Sequence, residues 1–241
     1  MVTKMKRCAV IVGARGELGT AVTSKLHAHG GWKGFAVDVS PAVREFHPPW
    51  HDEFRPMTME ELAMEDKSMG GKPWIDAVVH VAGGFERSEA VDDALVEKNM
   101  WLANSRTALV AAGLAQRSLR QFGCLCLTGS RVVMEGHPTR DAAAYGMAKA
   151  GIHHLALTMA STGIRVICAL PGTLDVASNS TTAKYDPDIR SKVPIVDIAS
   201  KICDKVGQII YDDDDDFYDP FRYLSGEDVR ARARYVEWIV F

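Results

Sequence analysis

The chain has 241 residues, 47% of them hydrophobic, and a formal net charge of −3 at pH 7. A chain of this length can bury a full core, and we expect a single domain over residues 1–241. The slightly acidic balance gives no support for a nucleic-acid partner, and no apolar run is long enough to cross a membrane. The five cysteines include no pair with metal-ligand spacing, so no metal site is expected. Without a leader-like start, this composition predicts a reduced, cytoplasmic protein.

Apolar strand-like runs alternate with helical patterns along the chain. The predicted strands are Cys8–Val12, Gly34–Val39, Ile75–Val81, Gly123–Thr128 and Ile164–Leu170. Each run is rich in Val, Ile, Ala or Cys without alternation, which is typical of strands covered on both faces. The pattern predicts an α/β fold: a doubly wound parallel sheet, the Rossmann fold, with helices on both faces.

Three helices are predicted between these strands. Leu18, Val22 and Leu26 mark one face of the first helix, and the other two are expected at Asp92–Arg120 and Tyr145–Ser161. Both long helices are rich in Ala, which allows close packing, and we expect them to form the interface of a homodimer.

Four other segments carry weaker signals. Pro41–Gly71 shows no readable strand, whereas Thr173–Ser191 is polar and is expected to form a loop over the carboxyl edge of the sheet. The acidic run Asp212–Asp216 is typical of a solvated loop, although a metal-binding or partner-binding role is the alternative. Tyr235–Phe241 is apolar enough for a last strand or a packed tail.

A glycine-rich turn follows the first predicted strand and opens the first helix. Such a turn brings backbone close to a pyrophosphate, and the helix N-terminus adds partial positive charge. The sequence therefore predicts a dinucleotide site at Gly13, Arg15, Gly16, Leu18 and Gly19.

Asp38 ends the second strand, 19 residues after Gly19, and its carboxylate is placed to bind the adenosine ribose. A carboxylate there would repel a 2′-phosphate, which favours NADH. Arg15 could instead reach a 2′-phosphate, so NADPH is the alternative; solvation or pairing with Asp38 is its plainer role. Ala82-Gly83-Gly84 follows the third strand and either lies against a ribose or forms a plain turn.

Tyr145 and Lys149 are four residues apart on a predicted helix, so their side chains share one face. An ammonium beside the phenol would lower the pKa of Tyr145 and allow proton transfer near neutral pH. Ser130 lies 15 residues before Tyr145, directly after an apolar run. Together with the glycine turn, these residues predict a nicotinamide-dependent oxidoreductase.

From Arg7 to Asp175 the chain resembles the short-chain dehydrogenase/reductase family. The glycine turn, Ala82-Gly83-Gly84, the serine, Tyr-x-x-x-Lys and Pro171-Gly172 follow in that family's order. Within it the chain looks most like the quinonoid dihydropteridine reductases. The most specific strings are Tyr145-Gly146-Met147-Ala148-Lys149 and Leu170-Pro171-x-Thr173-Leu174-Asp175.

The resemblance implies a role for each matching residue. Tyr145 would donate the proton, and Lys149 would lower its pKa and hold the nicotinamide ribose. Ser130 would hydrogen-bond the reacting substrate group or the phenol, and Asn104, three residues after Trp101, would anchor a proton-relay water.

Three further positions complete the expected site. Pro171 and Thr173 would contact the nicotinamide, with Thr173 holding the carboxamide. Phe85 would lie near the pterin, although packing in the core or in a lid is equally expected of it.

The implied activity is the NADH-dependent reduction of quinonoid dihydropterin (6,7-dihydropteridine) to tetrahydropterin. Ser130 departs from these reductases, which have a small apolar residue there, and it restores the pattern of the wider family. A ketone or acyl-carrier reductase is therefore the first alternative. A non-catalytic dinucleotide-sensing protein is the second, although such a protein has no need of Tyr145 and Lys149.

Overall fold

The structure, a computed structural model, describes residues 6–39, 52–136, 141–172, 174, 193–211 and 236–241. Strands and helices alternate along these segments. In chain order they are β1 (Arg7–Val12), α1 (Glu17–His29), β2 (Trp32–Asp38), β3 (Phe54–Thr58), α2 (Met59–Ser68), β4 (Ile75–His80), α3 (Ala94–Met100), a π-helical turn (Trp101–Arg106), α4 (Thr107–Ser118), β5 (Leu119–Thr128), α5 (Arg131–Met134), α6 (Ala143–Ser161), β6 (Arg165–Leu170), α7 (Ile195–Tyr211) and β7 (Val236–Val240).

The seven strands form one parallel sheet in the order β3-β2-β1-β4-β5-β6-β7. Apolar side chains of α2, α4 and α6 fill the core on one face of the sheet, and those of α1 and α7 fill it on the other. Leu18, Val22 and Leu26 of α1 are buried as expected. This arrangement confirms the predicted doubly wound fold with helices on both faces.

Four elements were not predicted: β3, α2, α5 and α7. Strand β3 lies within Pro41–Gly71 and pairs with β2 alone, at the edge of the sheet. Pro56 is tolerated in such an edge strand because its missing N–H interrupts no central pairing, yet in the sequence it hides the strand pattern. Helix α7 packs against α1, and its inward side chains Ile198, Ile202 and Val206 are fully buried.

The predicted helix Asp92–Arg120 is divided in the structure. Asp93 caps α3, the π-helical turn interrupts the helix at Trp101, and α4 ends at Ser118. Strand β5 then begins at Leu119, before the predicted Gly123. The sequence analysis missed this start because the exposed Arg120 and Gln121 break the apolar pattern.

The apolar segment Tyr235–Phe241 does provide a last strand, since β7 pairs in parallel with β6. The acidic run Asp212–Asp216 lies outside the described residues, as does most of the predicted loop Thr173–Ser191. Among the described helices, none has the length and apolar character needed to span a bilayer.

Candidate active site

Most of the predicted site residues lie where parallel strands end, at the carboxyl edge of the sheet. Gly13 follows β1, Asp38 ends β2, Gly83 follows β4, Ser130 follows β5 and Pro171 follows β6. In open parallel sheets this edge is where ligands bind. The topology therefore brings together residues that are far apart in the sequence.

The glycine turn is packed too closely for side chains at two positions. A Cβ on Gly13 would lie 2.4 Å from the Ala82 backbone nitrogen, and φ of Gly13 is +92°. A Cβ on Gly19 would lie 2.1 Å from the Gly13 carbonyl oxygen. Gly16, the residue before α1, offers no side chain to cap the helix. These features fit a pyrophosphate held by backbone at the start of α1.

Asp38 lies beside this turn, because its Oδ2 accepts a hydrogen bond of 3.3 Å from the backbone N–H of Arg15. The contact brings the end of β2 next to the glycine turn, as a ribose-binding carboxylate requires. Arg15 is itself exposed, and Leu18 is buried in the first turn of α1.

Asn104 is fully buried in the π-helical turn and holds the segment after β4. Its Nδ2 donates to the carbonyl oxygens of Gly84 and Met100, each at 3.1 Å, and its Oδ1 accepts from the Gly84 N–H at 3.4 Å. Gly83 lies between Asn104 and Lys149, since a Cβ there would be 3.1 Å from Oδ1 and 3.4 Å from Nζ. The anchoring of a relay water by Asn104 stays a prediction.

Tyr145 lies on α6 facing Ser130, which is buried at the start of α5. Burial raises the pKa of Tyr145 above its usual value, and a hydrogen bond between the Ser130 and Tyr145 hydroxyls partly offsets this rise. The expected net lowering of the Tyr145 pKa is wrong for this structure, because burial raises it. A phenol of raised pKa keeps its proton at neutral pH, as a proton donor must.

Lys149 is buried one helical turn after Tyr145. Its Nζ donates a 3.0 Å hydrogen bond to the Thr128 carbonyl oxygen and lies 5.8 Å from the centroid of the Tyr145 ring. Burial lowers the pKa of Lys149 to about 8. The predicted sharing of one helix face by the two side chains is therefore observed.

Phe85 is 41% exposed and packs edge-on against Tyr145, with ring centroids 5.0 Å apart and an interplanar angle of 79°. The Phe85 ring also contacts the guanidinium of Arg87, whose Cζ lies 5.6 Å from the ring centroid. Phe85 is thus not a core residue, and it lies at the candidate site. It places an exposed aromatic surface beside the phenol.

Two histidines at the site were missed by the sequence analysis. The ring of His153 accepts a 3.1 Å hydrogen bond from the Ser130 backbone N–H through Nε2. His80 is fully buried, and its Nε2 is 2.9 Å from the Thr107 hydroxyl. His153 could have been found from the sequence, because it follows Tyr145 and Lys149 at the same four-residue spacing. Nothing in the sequence marks His80.

Pro171 is buried, and its carbonyl oxygen accepts a hydrogen bond from the Arg131 N–H. Thr173, the predicted carboxamide contact, lies outside the described residues. Asn99, the other asparagine of this region, donates to the Glu86 carboxylate instead of entering the site.

The lowered pKa of Lys149 predicts a pH-dependent cost to stability. Between about 8 and 10.5 the folded state binds fewer protons at this position than the unfolded state, so stability should rise with pH over that range. Below pH 8 the cost is fully present. Relative to Lys149→Met, the wild type should gain about 3 kcal/mol of unfolding free energy between pH 7 and pH 10.5.

Urea unfolding of both proteins at several pH values measures this difference. The buried cysteine thiols, whose pKa values burial raises, weaken both proteins alike at high pH and cancel in the comparison. A difference that does not change with pH would contradict the burial of a charged Lys149.

No profile of a known protein family matches the chain. The sequence is 26% identical over 209 residues to a dihydropteridine reductase of Dictyostelium discoideum, covering 82% of this chain and 87% of that protein. It is also 26% identical over 220 residues to an uncharacterised oxidoreductase of Staphylococcus aureus, covering 81% of this chain and 89% of that one.

Solved structures of similar fold are also found. A dehydrogenase from Burkholderia cenocepacia with bound NADP aligns with a TM-score of 0.69 at 21% identity, over 85% of this chain and 88% of its own. A short-chain dehydrogenase/reductase from Brucella melitensis aligns with a TM-score of 0.68 at 18% identity, over 100% of this chain and 97% of its own. The comparisons thus confirm the resemblance to oxidoreductases of the short-chain dehydrogenase/reductase family, and within it to dihydropteridine reductase.

Proposed function

We propose that this chain reduces quinonoid dihydropterin to tetrahydropterin with NADH. The observation that carries the proposal is the exposed Phe85 ring packed against Tyr145. A flat heterocycle can stack on such a ring while its reducible edge meets a proton donor. The 26% identity to a dihydropteridine reductase over 82% of the chain supports the same substrate class.

A bound nicotinamide cofactor supplies the hydride, and the chain supplies the proton. Tyr145 keeps its phenol proton at neutral pH and delivers it to the reduced ring system as hydride arrives. Ser130 holds the phenol oxygen through their hydrogen bond, which orients the proton toward the substrate. Lys149 binds the Thr128 carbonyl oxygen and provides positive charge near the phenol as it loses its proton.

The cofactor preference follows from Asp38. Its carboxylate lies at the end of β2 next to the glycine turn, where it would bind the ribose hydroxyls of NADH and repel a 2′-phosphate. The exposed Arg15 guanidinium is the feature that favours NADPH, and the Burkholderia cenocepacia structure contains bound NADP. We give Asp38 the greater weight because it is fixed beside the turn.

A ketone or acyl-carrier reductase is the second candidate. Asn104, Ser130, Tyr145 and Lys149 are all present at the carboxyl edge, and a buried Ser130 hydroxyl beside the phenol could equally bind a substrate carbonyl. Substrate specificity therefore has to be decided by assay.

Tyr145→Phe tests both the activity and the proton donor. The wild type should oxidise NADH with freshly generated quinonoid dihydrobiopterin in anaerobic stopped-flow mixing, faster than with ketone or acyl-carrier substrates. Removing the hydroxyl should lower kcat by about 10²–10⁴-fold, because general acid catalysis is lost, while the Kd for NADH stays nearly unchanged.

Activity with carbonyl substrates but not with the dihydropterin would favour the second candidate. Tight NADH binding without turnover of any substrate would instead revive a dinucleotide sensor. A loss below threefold in the variant would remove Tyr145 as the sole donor.

Asp38→Ala tests the cofactor preference. The variant should bind NADH more weakly and NADPH more tightly, because it loses a ribose acceptor and a repulsive charge together. Arg15→Ala is the matched comparison and should leave the NADH affinity nearly unchanged. A wild type that already prefers NADPH, and loses this preference in Arg15→Ala, would show that Arg15 decides the cofactor.

We also propose that the chain forms a homodimer through α4 and α6. Leu109 on α4 and Leu157 on α6 are 43% and 53% exposed, and Leu95 and Leu102 extend the apolar surface along the same helical segment at seven-residue intervals. A two-fold contact between such helices would bury this surface against its own copy.

Leu157→Arg should therefore reduce the sedimenting mass toward the 26.4 kDa of one chain at micromolar concentration, because a charge would enter the interface. Val196→Arg, an equally exposed apolar position of α7 on the other face of the sheet, is the control and should leave the mass unchanged. An active wild type that sediments as a single chain would refute the dimer.

A further inference from the structure

Helix α6 holds the end of β5 at two points. Lys149 Nζ donates to the Thr128 carbonyl oxygen at 3.0 Å, and one helical turn later His153 Nε2 accepts from the Ser130 N–H at 3.1 Å. Tyr145, Lys149 and His153 recur every four residues, so one face of α6 carries all three. The backbone is thereby held on both sides of Gly129.

The absence of a side chain at Gly129 leaves space for the His153 ring. A Cβ at this position would lie 2.4 Å from His153 Nε2 and 2.6 Å from Cδ2, so the imidazole occupies the space that a side chain would need. On the other side of His153, the Trp238 ring of β7 packs edge-on with its centroid 5.6 Å away. The imidazole is therefore confined between the strand end and the last strand of the sheet.

The Ser130 N–H has no partner from the sheet ladder. The last pair between β5 and β6 joins Thr128 to Ala169, and the Gly129 N–H still donates to the Ala169 carbonyl oxygen. One residue later, the Ser130 N–H donates to His153 instead. Because Ser130 is only 3% exposed, solvent is a poor substitute for this acceptor.

His153 can accept this hydrogen bond only while Nε2 is unprotonated. Burial and the nearby Lys149 ammonium both lower the pKa of His153, which favours the neutral ring. The ring therefore acts as a fixed acceptor, and its remaining proton is on Nδ1.

We infer that His153 is a positioning residue, which acts through the Ser130 backbone to hold the Ser130 hydroxyl at the Tyr145 phenol. This inference rests on the proposed function, because it gives that hydroxyl a task in proton transfer. Loss of the His153 acceptor should let the Ser130 backbone rotate and move its hydroxyl away from the phenol. Misplacement of a catalytic contact by about 1 Å can cost roughly 10²-fold in rate.

Four variants at two positions test the inference. His153→Leu removes the acceptor, whereas His153→Gln offers an amide oxygen at about the reach of Nε2, and His153→Asn is too short to reach. His154→Leu, the exposed neighbour on the same helix, is the control. We expect kcat to fall about tenfold or more in the Leu and Asn variants, with KM and NADH Kd changed less than about threefold, and to recover largely in the Gln variant.

A double-mutant cycle separates positioning from general stability. If His153 acts through the Ser130 hydroxyl, His153→Leu should lower kcat in the wild-type background but have no further effect in Ser130→Ala. Independent, multiplying losses would overturn the inference. If the Leu variant does not fold, His153→Gln and His153→Asn provide the same cycle.

Amide hydrogen exchange of Ser130 gives a readout that needs no substrate. Its protection should fall about tenfold in the Leu and Asn variants and be retained in the Gln and His154→Leu proteins, because only the former lack the acceptor. Unchanged protection in His153→Leu and His153→Asn would overturn the inference. Lost protection together with no dihydropterin turnover by the wild type would uphold the contact while refuting the proposed function.

Discussion

The burial of one ammonium, that of Lys149, is the constraint on which the rest of the site depends. A charged side chain that is 5% exposed needs a fixed acceptor, and the carbonyl oxygen at the end of β5 is the one it has. Meeting this need fixes the distance between α6 and the strand end. It also places Tyr145, one turn earlier on the helix, beside Ser130. The cost of burying the charge and the geometry of the proposed proton transfer thus have one structural cause.

A buried polar network extends this constraint beneath the sheet edge. The Thr128 hydroxyl donates to the His80 carbonyl oxygen, and the His80 ring contacts the Thr107 hydroxyl, which itself donates to the carbonyl oxygens of Ala103 and Asn104. Burial and the Lys149 charge lower the pKa of His80 to about 3, so the ring stays neutral within this network. A hydroxyl that donates to backbone carbonyl oxygens can stabilise a π-helical turn. Asn104 is part of this turn. The interruption of the helix and the site at its surface are therefore parts of one hydrogen-bonded arrangement.

The sequence predicted the elements whose physical causes are local. The central strands are continuous apolar runs because both of their faces are covered, and Gly13 and Gly19 of the first turn are required by contacts shorter than a Cβ allows. The misses have non-local causes. Strand β3 depends on one neighbour at the edge of the sheet, and the raised pKa of Tyr145 depends on burial by segments distant in sequence. His153 matters because Gly129, 24 residues earlier, leaves space for its ring. The four-residue spacing places His153 on the same face of α6 as Lys149, but nothing in the sequence shows that space.

Opposite effects of the same burial distinguish the two central groups of the site. Burial raises the pKa of the Tyr145 phenol and lowers that of the Lys149 ammonium, because in each case it disfavours the charged form. The two pKa values, which are similar for the free side chains, therefore move apart. The phenol keeps its proton until hydride transfer makes the substrate basic enough to accept it. The neighbouring amine is still charged at neutral pH. This pair is suited to a reduction. The contacts made by Ser130 and His153 then serve to keep that proton aimed at the surface where Phe85 would hold a flat substrate.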